Sequence, residues 1–184
     1  MKNFFILSLP RSRTAWLANF LTYENSYCFH EGLLSCKNIS AMRQLFESTG
    51  KPTVGNSDCG NMLFLDELRD DFPEAKFVII DRPVDEVIDE LHEIGLIYFD
   101  PKVMELTAQE LAVAKRTMDA LVVDYRDLDE NACRHIWQYC IGTPFDEHRW
   151  RMLDGLDIQI ILSKKLEAIR ENEPNIESLM GRAH

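Results

Sequence analysis

Leu7-Ser8-Leu9-Pro10-Arg11-Ser12-Arg13-Thr14-Ala15-Trp16 decides the fold reading. The residues leading into it, Asn3–Ser8, are short, apolar and stopped by Pro10, which is the pattern of a buried strand. The residues leading out, Thr14–Tyr23, carry Trp16, Leu17, Phe20 and Leu21 on one helical face. A strand therefore passes through a tight turn straight into a helix. The first amides of such a helix have no intrahelical partner. The helix dipole adds partial positive charge at the same place. Together they form an anion site, and phosphate is its usual guest. Arg11 and Arg13 supply cationic, forked donors, and Ser12 and Thr14 supply hydroxyls.

The plainer role for Ser12 or Thr14 is that of a helix cap. The charge distribution argues for the anion site instead. The 184 residues hold 31 acids against 20 bases, a formal charge of −11, yet the first carboxylate is Glu24. Random placement would leave such a stretch acid-free in roughly 1–2% of sequences. Asp and Glu are normally favoured in a first helical turn. A turn that must receive an anion has reason to exclude them. The Walker A pattern Gly-x-x-x-x-Gly-Lys-[Ser/Thr] is absent, which argues against an ordinary ATP- or GTP-hydrolysing P-loop enzyme.

Working outward, Tyr27–Phe29, Thr53–Val54, Ala75–Ile80 and Leu121–Val123 read as further strands. Ile39–Ser48, Met62–Asp71, Val84–His92, Ala108–Asp119 and Leu128–Ile141 read as helices. Thr107 with Glu110 has the form of a capping box opening the fourth of these. Leu156–Leu162 is ambiguous, and Ser163–Glu171 reads as helical. Short strands alternating with helices predict an α/β, P-loop-like three-layer fold with a mainly parallel central sheet. Residues 1–150 are expected to form this domain, with 151–184 as its helical extension.

Composition narrows the function classes. A hydrophobic content of 46% with 28% charged residues is globular rather than disordered. No apolar run approaches a membrane span, and Met1–Leu9 lacks a leader's cleavage pattern. The acidic balance argues against nucleic-acid polymers and anionic membranes as partners. Five cysteines in an odd count, with no Cys-x-x-Cys pair, predict neither a disulfide framework nor a zinc site, and a cytoplasmic setting. His92, His135 and His148 show no metal-ligand spacing with carboxylates, so no metal is expected.

A second segment repeats the logic of the first. In Lys76-Phe-Val-Ile-Ile-Asp-Arg-Pro-Val-Asp-Glu-Val87 an apolar strand delivers Arg82 to its carboxyl end just before a helix. Ligands of open α/β sheets bind at that edge.

With both segments in view, the chain resembles the PAPS-dependent sulfotransferase family. Pro10-Arg-Ser-Arg-Thr-Ala-Trp16 is similar to that family's Pro-[Lys/Arg]-Ser-Gly-Thr-Thr-Trp loop. Phe72–Val87 is similar to its strand, Arg-Pro and helix segment. Val123-Asp-Tyr-Arg-Asp-Leu128 resembles its Tyr-Glu-Asp-Leu stretch, and Ile141-Gly-Thr-Pro-Phe-Asp146 its Leu-Gly-Leu-Pro-Phe. The four matches come in the family's order across residues 3–150. The resemblance implies PAPS as donor co-substrate and a small-molecule hydroxyl or amine acceptor. It implies a 5′-phosphosulfate held by Arg11, Ser12, Arg13 and Thr14, and a 3′-phosphate gripped by Arg82. It also implies Arg11 as the clamp on the leaving phosphate.

The departures are specific. The family's loop glycine is Arg13 here and its second threonine is Ala15. The family's serine eight residues past the arginine is Glu90, whose carboxylate would repel a 3′-phosphate. The family's C-terminal Arg-Lys-Gly-type loop has no counterpart. Two alternatives follow: a nucleotide- or phosphate-binding module without activity, or a phosphotransferase using another phosphorylated donor. For the general base, Glu31 and His30 in Cys28-Phe-His-Glu-Gly32 are the first candidates. Asp58, in Gly55-Asn-Ser-Asp-Cys-Gly60, is the third, although an Asp in such a turn commonly serves its own backbone.

Overall fold

The computed structural model describes residues 1–95, 100–154 and 156. Five strands, β1 (Lys2–Ser8), β2 (Ser26–His30), β3 (Thr53–Ser57), β4 (Lys76–Asp81) and β5 (Ala120–Asp124), form one sheet in the order β2-β3-β1-β4-β5. Every pairing is parallel. All five carboxyl ends therefore share one edge, and β1 lies at the centre.

Side-chain alternation along β1 builds a core on each face of the sheet. Phe4 and Ile6 pack with Val78, Ile80 and Val123 against α1 (Thr14–Leu21), α6 (Glu130–Cys140) and α7 (Glu147–Asp154). Phe5 and Leu7 pack with Val54, Phe77 and Ile79 against the opposite layer. That layer comprises α2 (Ile39–Ser48), α3 (Leu65–Asp71), α4 (Val84–Glu93) and α5 (Pro101–Thr117). The result is a three-layer, P-loop-like α/β fold. Helix α7 runs on through residue 150 to Asp154. Its Leu153 joins the first core, and the Trp16 indole donates to the Leu153 carbonyl at 2.9 Å. The expectations for Leu156–Leu162 and Ser163–Glu171 fall on residues outside the described ones, apart from Leu156 itself.

Among the boundaries that differ from the sequence reading are those of α5 and β3. Helix α5 opens at Pro101 rather than at Ala108. Asp100 caps it by accepting from the Lys102 amide at 2.9 Å, and proline fits the first helical position. Thr107 is a buried mid-helix residue whose hydroxyl returns to the Val103 carbonyl, so it caps nothing. Strand β3 continues through Gly55-Asn56-Ser57, a stretch expected to turn. Gly55 is a strand residue because the Phe4 ring lies across it. A Cβ there would stand 2.2 Å from a ring carbon.

Candidate functional site

The turn between β1 and α1 lies at the carboxyl edge of the central strand. Arg11 and Arg13 both occupy the left-handed region, with φ of 63° and 59°. A left-handed side-chain-bearing residue costs roughly 1–2 kcal/mol over the right-handed conformation. Arg13 thus takes, with strain, a conformation that glycine adopts freely. Turns that alternate in this way aim successive amides at one concavity, an anion-binding nest. Arg13 is also the N-cap of α1 and gives the helix no side-chain bond. The first turn of α1 contains no acid. The first intrahelical bond runs from the Leu17 amide to the Arg13 carbonyl at 2.9 Å. Residues 10–14 thus form a crook between the end of β1 and the first turn of α1. Ser12 is fully buried, with its hydroxyl 3.4 Å from the Pro10 carbonyl.

The side chains of the two arginines part company. The Arg13 guanidinium lies over the Trp16 ring at 5.8 Å, on the α1 side. Arg11 reaches α4, where Nε and Nη2 meet Glu90 Oε1 at 2.8 and 2.7 Å. Arg82 arrives at the same carboxylate, with Nη1 2.7 Å from Oε2. The same nitrogen donates to the Arg11 carbonyl. Arg82 and Arg11 accordingly meet on one sheet edge, as two strands ending in parallel require. Glu90 carries the charge that bridges them. Burial pushes its carboxyl up, but hydrogen bonds and charge from Arg82 and Arg11 outweigh burial and hold it below the ordinary value.

That depression has a pH consequence. A carboxyl lowered by folding stabilises the native state above its unfolded value, and the contribution is lost as pH falls through the folded value. The stability gap between wild type and Glu90→Gln is therefore expected to be full above the ordinary carboxyl range and to close as pH falls below it. Urea midpoints of the two proteins across that range check it.

The base candidates sit on the neighbouring strand ends. His30 closes β2, and its Nε2 lies 3.3 Å from the Thr14 hydroxyl, which places the imidazole beside the crook. The Ser57 hydroxyl donates to the Thr14 carbonyl at 2.9 Å and ties β3 to the same turn. Glu31 is exposed, left-handed (φ 56°), and caps the 3₁₀ turn Gly32–Ser35 through its backbone. Asp58 is buried and caps the 3₁₀ turn Cys59–Phe64, accepting from the Gly60 amide at 2.8 Å. One of its oxygens is thus committed to local backbone. Burial, then the charges of Asp58 and Glu31, push the neighbouring Cys59 thiol up to about 11. All five cysteines are free thiols.

Several contributors were not singled out in the reading of the sequence. Asn56 and Asn61 are fully buried and bonded to each other at 2.8 Å. Asn56 accepts from the Gly32 amide at 2.9 Å, and Asn61 donates to the Ile6 carbonyl at 2.9 Å. This pair fixes the His30-Glu31-Gly32 corner to β1. Tyr125, Arg126 and Glu86 form the far wall of the arginine cluster. The Arg82 guanidinium lies 4.2 Å over Tyr125, and Arg126 pairs with Glu86. Tyr125 and Arg126 belong to the Val123–Leu128 segment, and Glu86 stands four residues past Arg82, so spacing alone would have found it.

The structure also carries surface grooves away from this edge. One, at the amino-terminal edge of the sheet, is lined by Arg69, Lys76, Asp119 and Tyr139. Among the described residues, no group of three or more His, Cys, Asp or Glu is placed to hold a metal ion, and no helix is long and apolar enough to cross a membrane.

The architecture has known counterparts. A sugar kinase from Janibacter sp. HTCC2649, solved without ligand, superposes with a TM-score of 0.55 at 12% identity, over 76% of this chain and 94% of that chain. A gluconokinase from Sinorhizobium meliloti 1021 aligns with a TM-score of 0.46 at 12% identity, over 86% of this chain and 97% of that one. No family model matches the sequence, and no curated protein sequence matches it. The likeness to the sugar kinase is one of fold, and it places the chain in the P-loop-like α/β class.

Proposed function

We propose that the protein is a nucleotide-dependent transferase that holds its donor's phosphates in the Pro10–Thr14 crook and moves a phosphoryl group to the hydroxyl of a small acceptor. The observation that carries this reading is the strained, acid-free turn at the carboxyl end of β1, with Arg11 and His30 at its rim. The shared fold of the sugar kinase supports phosphoryl transfer as the class of reaction. Such transfer needs little covalent chemistry from the protein; positioning and charge stabilisation dominate. The crook amides and Arg11 stabilise the leaving phosphate. His30 accepts the acceptor hydroxyl's proton at Nε2, with Glu31 as the alternative base on the same corner. Asp58 is less suited, because the Gly60 amide already occupies one of its oxygens.

Sulfuryl transfer from PAPS is the second reading. The ordered motifs support it, as does the meeting of Arg82 with Arg11. Against it, Glu90 stands where the resemblance assigns the 3′-phosphate. A thermal-shift panel of ATP, PAPS, adenosine 3′,5′-bisphosphate and inorganic phosphate separates the two. A ligand at 100 times its Kd adds about 2.7 kcal/mol to stability. Stabilisation by ATP and not PAPS, followed by phosphate transfer from ATP, upholds the first reading. Stabilisation by PAPS and the bisphosphate alone moves the assignment to the second. No shift with any nucleotide defeats both.

A further inference from the structure

Two consecutive residues of β3 reach the two sides of the site. Strand alternation sends the side chains of Asn56 and Ser57 to opposite faces of the sheet. On the α1 face, the Ser57 hydroxyl donates to the Thr14 carbonyl at 2.9 Å and holds the turn that forms the crook. On the other face, Asn56 Oδ1 accepts from the Gly32 amide at 2.9 Å and holds the corner that follows His30. The two arms meet where His30 Nε2 stands 3.3 Å from the Thr14 hydroxyl. The corner needs such a hold. Glu31, between His30 and Gly32, has a φ of 56°, a strained conformation for a residue with a side chain. Gly32 lies so close to the amide that a Cβ there would stand 2.8 Å from Asn56 Oδ1 and 3.0 Å from Phe29 Cβ. Asn56 is itself anchored. Its Nδ2 donates to Asn61 Oδ1 at 2.8 Å, and Asn61 Nδ2 donates to the Ile6 carbonyl at 2.9 Å and the Asn56 carbonyl at 3.2 Å. Both asparagines are 0% exposed. Two apolar side chains would fill this volume without desolvating two amides. The amide pair instead fixes the end of β2 to the central strand through directional bonds.

We infer that Asn56 is a positioning residue: it sets the His30 imidazole against the crook through the Gly32 amide, with Asn61 as its anchor on β1. The inference rests on the proposed role of His30 as the base, and it assigns the residues that fix the distance from that base to the donor's seat. The pair's bonds run to the corner and to β1. Its loss therefore moves the base and spares the crook.

The test compares wild type, Asn56→Ala, Gly32→Ala, His30→Ala and the double variant Asn56→Ala with His30→Ala. Gly32→Ala crowds the corner without removing an amide, and it decides the matter if melting curves show that Asn56→Ala does not fold. NMR of the imidazole nitrogens, assigned through His30→Ala, reads the surroundings of His30. Calorimetric titration with ATP reads the crook, and single-turnover phosphate release from ATP to water reads the reaction. The His30 resonances are expected to move in the Asn56 and Gly32 variants, while ATP affinity stays within about twofold of wild type. Release should slow by about 10²-fold, the loss that a misplacement of about 1 Å produces. In the His30→Ala background, Asn56→Ala should cost nothing further, as for two residues acting on one path. Unmoved His30 resonances in folded variants overturn the inference. Additive rate losses overturn it too, because Asn56 would then act by another route, and so does weaker ATP binding, because the pair would then support the crook. A full rate in His30→Ala removes the base assignment and the inference with it, and leaves the donor's seat standing. If ATP is bound but not cleaved, or not bound at all, the His30 resonances alone decide: movement upholds the link from Asn56 to the imidazole, and no movement removes it. Absence of ATP binding also defeats the proposed function.

Discussion

A Trp137→Ala protein is expected to melt about 10 °C below wild type, the largest stability loss of any single change considered for this chain. Trp137 lies on α6, is 0% exposed, and has ring contacts with Phe20 of α1 at 5.2 Å, with Tyr23 at 5.2 Å and with Phe145 at 5.9 Å. Its indole N–H donates to the Thr143 carbonyl at 3.1 Å, so its polar atom is satisfied. Truncation removes the apolar transfer energy, leaves a cavity, and orphans that carbonyl. Losses for buried Trp→Ala run at about 3–5 kcal/mol. At roughly 2–4 °C per kcal/mol for a chain of this size, the midpoint falls by about 10 °C. Leu34→Ala is the control, because Leu34 is 81% exposed and its loss should stay within about 0.5 kcal/mol.

The consequence reaches the site. Helix α1 presents the crook at its amino end, and Trp137 packs against its carboxyl half. Arg149 completes that support, donating to the carbonyls of Asn19, Phe20 and Thr22 at the end of α1. Loosening this end lets the helix tilt, and the crook amides move with it. Nucleotide-induced stabilisation should therefore shrink in Trp137→Ala even below its melting range. A loss of less than about 3 °C would place α6 outside the cooperative unit and break this link.

What the sequence disclosed, and what it withheld, follows from the kind of information each feature needs. β1 and β4 were legible because unbroken apolar runs end at Pro10 and before Pro83, and a run buried on both faces has few other homes. The meeting of Arg11 and Arg82 was legible for a topological reason: each follows a parallel strand directly. The start of α5 was misread because Pro101, Lys102 and Val103 are exposed and Thr107 with Glu110 imitates a capping box one turn after the first buried residue, Met104. The left-handed turn was hidden, since arginine is not a residue that advertises positive φ. Rotamers were hidden too. Sequence placed Arg13 and Glu90 near the crook, but only packing sends one guanidinium onto Trp16 and sets the other side chain between two arginines. The Asn56–Asn61 pair has no period, because a strand end and a 3₁₀ turn bring its members together.

Arg11 is expected to yield the largest functional effect, and its backbone allows charge to be separated from strain. Arg11→Ala removes the guanidinium and keeps a side-chain-bearing residue at φ 63°. Arg11→Gly removes the same guanidinium and releases the strain, roughly 1 kcal/mol, against a glycine entropy cost of similar size. Arg11→Lys keeps a charge but loses the fork that now meets Glu90 through two nitrogens. If Arg11 acts on the leaving phosphate as proposed, alanine and glycine variants should lose transfer rate equally, by about 10²–10³-fold, the range for deleting one transition-state donor. Lysine should recover part of that loss. All three should melt within a few degrees of one another, because Glu90 keeps Arg82 and the crook's main chain needs no guanidinium to hold its shape. Single-turnover rates with the donor identified by the thermal-shift panel make the comparison. Glycine restoring activity that alanine loses would show that backbone relief, not charge, sets the rate, and the leaving-group role would pass from Arg11 to the amides of the crook.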